Sequence, residues 1–131
     1  MGKDKFYTIT LPELGKQKII FDILLLDQQE AVSGKPIHDI WNEAQEGANS
    51  TPGLIKYVST IILAGIRADR LREGKDINDL PNQYQFFSLF GEWVKTHKIA
   101  KVGDILEVYS SNIGSIIGAD EIEDTEEDKK K

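Results

Sequence analysis

The chain has 131 residues, 40% of them apolar and 29% charged, with a net charge of −6 and no cysteine. That is the composition of one ordinary globular domain, long enough to bury about two thirds of the surface its unfolded chain exposes. Without a thiol, disulfide scaffolds, thiolate metal sites and cysteine nucleophiles are excluded, and the acidic balance argues against affinity built on neutralising phosphates.

FYTITL, residues 6–11, alternates with a period of two: Tyr7, Ile9 and Leu11 on one side, Phe6, Thr8 and Thr10 on the other. That is a strand pattern rich in β-formers. The first ten residues hold no apolar core of signal-peptide length, and Phe6 stands where a myristoylation pattern wants Ser or Thr, so the expected compartment is the cytoplasm. Pro12 and Gly15 interrupt the strand, and KIIFDILLLD, residues 18–27, follows. Ile19, Phe21, Ile23 and Leu25 would share one face of a second strand, with PELGKQ as the hairpin loop. Extended through QQEAV, the same run places Ile20, Ile23, Leu24 and Asp27 at helical spacing. The preferred reading is a strand passing into a turn or short helix.

SGKP breaks the chain, and Pro36 suits the first position of a helix, where its missing N–H costs nothing. Ile37, Ile40, Trp41 and Ala44 then form one apolar face. EGANST ends that helix, and Ser50 or Thr51 can cap the next, with Pro52 just inside its start. The next helix is the most apolar stretch of the chain. Leu54, Ile55, Val58, Ile61, Ile62, Gly65 and Ile66 form a wide stripe, widened by Tyr57 and Leu63. A bilayer span needs about 20 consecutive apolar residues. Here Lys56 interrupts the run and RADRLREG follows it, so the expectation is a buried central helix with a solvated charged end, and no membrane span. Arg67, Arg70 and Arg72 complement the helix dipole, and Gly74 is the terminator.

Asp79 and Pro81 mark the start of an aromatic helix carrying Tyr84, Phe86, Phe87, Leu89, Phe90, Trp93 and Val94. Three phenylalanines and a tryptophan within residues 86–93 offer more aromatic area than one buried face needs. One reading is core packing plus an inter-helix contact. The other is a partner-binding patch on Phe86, Phe87, Phe90 and Trp93, at least one of them exposed beside the central helix, since aromatic residues dominate interface energetics. A last helix runs through GDILEVYSSNIGSIIG, with Ile105, Leu106, Tyr109, Ile113, Ile116 and Ile117 on one side and Asp104 as its cap. Gly114 and Gly118, four apart, would let another helix approach closely.

The fold class expected from this order is mainly α (α+β): an N-terminal β-hairpin followed by a bundle of about four helices, forming one domain over residues 1–118. Residues 119–131 carry seven acids and three lysines, which is −4. With one aliphatic side chain beyond Ala119 they cannot repay the entropy of ordering, so a charged, disordered tail is expected.

No chemistry-bearing motif emerges. His38 and His97 lack a second histidine at metal-pair spacing, no calcium loop is present, and Asp22, a candidate buried carboxylate, stands without the partner that acid–base hydrolysis requires. There is no phosphate loop, nucleophile elbow or dinucleotide fingerprint. Arg67, Arg70, Arg72 and Lys75 are interleaved with Asp69 and Glu73 rather than forming a basic stripe. The expectation is a protein that is not an enzyme, with no cofactor, no metal and no nucleic-acid partner.

The order of parts resembles a known family. A short β-like opening, a helix, a central helix LIKYVSTIILAGIRADRLREG, a DINDLP entry into an aromatic helix and a charged C-terminus look like the tail assembly chaperones of long-tailed bacteriophages. The resemblance covers about residues 18–95 and rests on pattern and on Ala64, Gly65, Asp76 and Asp79. It implies a cytoplasmic, non-enzymatic partner protein that coats a tape-measure protein, keeps its apolar helices soluble and helps recruit tail-tube subunits. Apolar grooves for helix docking and a net charge that keeps the complex soluble suit that role. Two alternatives stand beside it: a structural or accessory virion protein (a head, neck or tail subunit), or an unrelated small helical adaptor. Self-association is compatible with each.

Overall fold

The computed structural model describes residues 6–47 and 50–117. Strands β1 (Phe6–Leu11) and β2 (Gly15–Ile20) form an antiparallel hairpin, and five helices follow: α1 (Ile23–Ser33), α2 (Ile37–Glu46), α3 (Thr51–Arg72), α4 (Gln83–His97) and α5 (Ala100–Ile117). The expected hairpin-plus-helices architecture is therefore present. The tail from residue 119 onward lies outside the described residues.

In the hairpin, Phe6 pairs with Ile20 and Leu11 with Gly15. The reversal is tight, with Glu13 at φ 68° and Gly15 at φ 75°. Ile9, Leu11, Ile19 and Ile20 point into the core.

β2 lies earlier than the sequence suggests, and the apolar run divides at Asp22. That residue is extended, at φ −143° and ψ −168°, and its carboxylate accepts a hydrogen bond from the Leu24 N–H at 2.9 Å. The cap satisfies an orphan donor at the start of α1, so residues 23–33 form a full helix instead of a strand followed by a turn. The strand face proposed through Ile19, Phe21, Ile23 and Leu25 is accordingly split: Ile23 is 64% exposed while Leu25 is buried. This is the helix beyond the expected four. It ends at Gly34, in the left-handed conformation at φ 73°.

α3 is the axis of the domain. The Ser50 hydroxyl accepts from the Gly53 N–H, Pro52 sits in the first turn, and residues 58–66 and 68 are buried. The hairpin, α1, α4 and α5 all pack on it. At Gly65 the hairpin and α1 both come close to the helix backbone. A Cβ there would overlap Ile19 Cγ2 and lie 3.2 Å from Leu25 Cδ1. No helix among the described residues is long and apolar enough to cross a membrane.

Two helix starts differ from expectation. α4 is opened by Asn82, whose side chain accepts from the Gln85 N–H while the Gln85 amide accepts from the Asn82 N–H. That reciprocal box outcompetes Asp79, which is drawn away to pair with Arg70. α5 begins at Ala100, four residues before Asp104, which therefore lies inside the helix and caps nothing. A Cβ on Gly114 would meet no atom within 4 Å, so that glycine admits no close helix among the described residues. Gly118 lies outside them.

Candidate partner-binding site

The aromatic helix is mostly core. Phe86 and Phe90 are fully buried, Trp93 is 4% exposed, and Phe87 is half-buried. None of the four is the exposed anchor expected from the sequence. The reason is the number of neighbours: α4 packs against α3, α5 and β1, so more than one of its faces is interior. Phe90 and Trp93 stack at 5.3 Å between centroids, and Trp93 stacks on His97 at 4.4 Å. His97 Nδ1 lies 3.0 Å from the Trp93 carbonyl oxygen. The aromatic that α4 does expose is Tyr84, in its first turn, at 66%. Lys56 Nζ sits 4.9 Å from that ring's centroid.

The arginine cluster acts inward. Arg67 Nε donates to Gln28 Oε1 at 2.8 Å, Arg70 reaches Asp79 and Gln17, and Arg72 donates to Asp22 at 3.1 Å. Each tethers a different segment to the end of α3: α1, the loop before α4 and the hairpin, and the α1 cap. Asp22, the candidate buried acid, thus serves as a helix cap and an ion-pair partner. His38 packs edge-on against Trp41 at 5.3 Å. Among the described residues, no group of three or more His, Asp or Glu side chains is placed to hold a metal ion.

Two hollows lie around α2. That helix contributes only Ile40 to the buried core, and a hollow flanks it on either side. One, of about 240 Å³, lies between α1, α2, α3 and the start of α4 and is lined by Lys35, Ile40, Glu43, Lys56, Tyr57 and Tyr84 among others. Lys35 and Glu43 form an ion pair across its mouth. The other, of about 510 Å³, is a more apolar groove between α2, α3 and α5, lined chiefly by Trp41, Ala44, Leu54, Tyr57 and Leu106.

Behind this groove a short polar chain links three helices. Trp41 Nε1 donates to the Tyr109 hydroxyl at 3.0 Å, and that hydroxyl donates to Gln29 Oε1 at 2.7 Å. The Tyr57 ring meets Tyr109 edge-on at 6.3 Å. Burial pushes both phenols above the ordinary tyrosine range, and for Tyr57 the neighbouring Tyr109 adds to the shift. Gln29 is fully buried, and its Nε2 has no hydrogen-bond partner among the described residues.

The groove presents indole, phenol and aliphatic surface, a lining that binds by apolar burial and suits a row of apolar side chains. The sequence marked Trp41, Ala44, Leu54, Tyr57 and Leu106 as helix-face residues but carried no sign that they converge. Their meeting depends on how α2 and α5 lie across α3. No protein-family model, curated protein or solved structure matches the chain.

Proposed function

We propose that the protein is a non-enzymatic assembly chaperone of the phage-tail type, acting in the host cytoplasm. Its groove between α2, α3 and α5 receives an apolar helical segment of a tape-measure protein and holds it soluble until tail-tube subunits assemble around it. The observation that carries this reading is the apolar groove lined by Trp41, Leu54, Tyr57 and Leu106 beside the least-buried helix of the domain. A net charge of −6 would keep a loaded complex in solution.

The test is co-expression with segments of the tape-measure protein encoded beside this chain. A segment that aggregates alone should stay soluble with the intact protein and should precipitate again with Leu106→Ser. That change lies at a half-buried wall of the groove and should weaken binding by about 2 kcal/mol if Leu106 is an anchor. A protein that leaves every such segment insoluble is not this chaperone. One that then remains with completed particles is a virion component.

A further inference from the structure

β1 and β2 form a sheet of two strands, so each strand keeps one free edge. Their register runs from Phe6 opposite Ile20 to Leu11 opposite Gly15 without a bulge. Among the described residues, no backbone hydrogen bond from outside the hairpin reaches residues 6–11. An unpaired row of N–H and C=O groups is a template for another strand, and proteins guard such edges with charge, proline or a bulge. β2 is guarded by the exposed Lys16 and Lys18. β1, with the sequence FYTITL, carries none of these guards.

The exposed face of β1 is Phe6, Thr8 and Thr10, symmetric about Thr8. Antiparallel pairing with β1 of a second copy about that residue sets Thr8 against Thr8 and Phe6 against Thr10, with Tyr7 against Ile9 on the other face. Thr–Thr and aromatic–β-branched pairs are favourable across strands. The same operation on β2 would bring lysines against lysines, which is unfavourable.

Charge at the strand ends matches this arrangement. The register carries Lys3 and Lys5 of one copy toward the hairpin turn of the other. Glu13 stands at that turn, with Asp79 and Glu92 beside it around a hollow shared with α4. Asp79 and Glu92 are paired with Arg70 and Lys95, whereas Glu13 has no ion pair among the described residues. The same copy's lysines leave from the opposite end of β1. The chain from Phe6 back to Lys3 spans about 11 Å at most, and β1 is about 20 Å long, so they do not reach their own turn.

We propose that β1 is a self-pairing edge. Two copies join through antiparallel β1 strands about Thr8 into one four-stranded sheet, with Lys3 and Lys5 of each facing Glu13 of the other. Such a two-fold contact uses the same surface on both copies and closes at a dimer. The hairpin lines no part of the groove between α2, α3 and α5, so the pairing stands apart from the chaperone reading.

Sedimentation of the full chain at up to about 1 mM should show a reversible monomer–dimer equilibrium, weak as befits an interface at the small end of the range. Thr8→Lys sets lysine against lysine at the two-fold and should weaken the dimer at least about tenfold. Thr8 is exposed, so the thermal midpoint of this variant should stay unchanged. Glu13→Lys should weaken the dimer, as should Lys3→Glu with Lys5→Glu, and mixing the two variant proteins should restore association because each strand end then meets its opposite charge. The chain has no cysteine, so Thr8→Cys introduces a single thiol that should cross-link two copies on oxidation. Thr10→Cys should not, because its copies would lie about 13 Å apart, beyond disulfide reach. A dimer indifferent to Thr8→Lys, a mixture that fails to restore association, or cross-linking through Thr10→Cys as readily as Thr8→Cys overturns the pairing. A chain that stays monomeric overturns it too and leaves the edge to a strand of another protein.

Discussion

Replacing Gly65 by alanine should destabilise the protein, although alanine is the better helix former. At an open mid-helix position the exchange gains about 1 kcal/mol. At Gly65 the new methyl would overlap Ile19 Cγ2 and lie 3.2 Å from Leu25 Cδ1 and 3.3 Å from Ile19 Cβ. Both neighbours are fully buried. Cγ2 is a branch on the stiff first torsion of an isoleucine, so it cannot rotate aside, and the hairpin must move off α3. Overpacking of this kind costs about 1–3 kcal/mol, occasionally more. Because backbone-anchored atoms must shift, the cost here is set at about 3 kcal/mol, for a net loss of about 2 kcal/mol. At about 4 °C per kcal/mol for a domain of this size, the midpoint falls by roughly 8 °C. Gly91 in α4 supplies the control, since a Cβ there meets nothing within 4 Å among the described residues. Gly91→Ala should raise stability by up to about 1 kcal/mol. Urea unfolding followed by tryptophan fluorescence, with thermal melts by circular dichroism, reads both. In the pair Ile19→Ala with Gly65→Ala, the two losses should fall short of additive, because the first removes the atom the second collides with. A Gly65→Ala protein as stable as the parent would refute the close packing of β2 on α3.

Ile62→Asp places an unpaired charge at a fully buried position of α3, a cost comparable with a total stability of about 5–15 kcal/mol. Insoluble or unfolded protein is expected, and a soluble, cooperatively melting variant would show that Ile62 is not in the core. Asp22→Ala removes the cap of α1 and the partner of Arg72. It should cost about 1 kcal/mol in urea titration, whereas Asp22→Asn, which keeps a capping oxygen, should recover most of that loss because the ion pair with the exposed Arg72 adds little. Tyr57 and Tyr109 hold their protons in the folded state above the ordinary value of 10.0. The unfolded chain therefore loses these protons first as pH rises, and the stability they confer, fully present below pH 10, declines above it. The slope from Tyr57 should approach about 1.4 kcal/mol per pH unit, and Tyr109 adds to it in the same direction. Urea midpoints between pH 9 and 12 would measure it, and Tyr57→Phe should flatten the decline.

The elements that follow from local rules were legible in the residues alone. Alternation in FYTITL marks β1, the length and interruption of the apolar run mark α3 as a buried helix rather than a bilayer span, and Ser50 and Pro52 mark where it starts. Each of these signals is carried by neighbours in sequence, through side-chain period, missing N–H groups or capping oxygens. Where two local signals competed, tertiary contact decided. Residues 19–26 are apolar almost throughout and so have no distinctive period, and α1 emerges because Asp22 caps it and Leu25 and Leu26 are buried in the core. The aromatic surplus of α4 is absorbed by three packed neighbours, a number that no single helix pattern contains. Arg67, Arg70 and Arg72, a mixed charge cluster in sequence, find their partners at Gln28, Asp79 and Asp22 only when α1 and the loop before α4 fold back along α3. The groove at Trp41, Leu54, Tyr57 and Leu106 and the stranded amide of Gln29 arise in the same way. They depend on the relative placement of helices, which long-range packing determines and local periodicity does not.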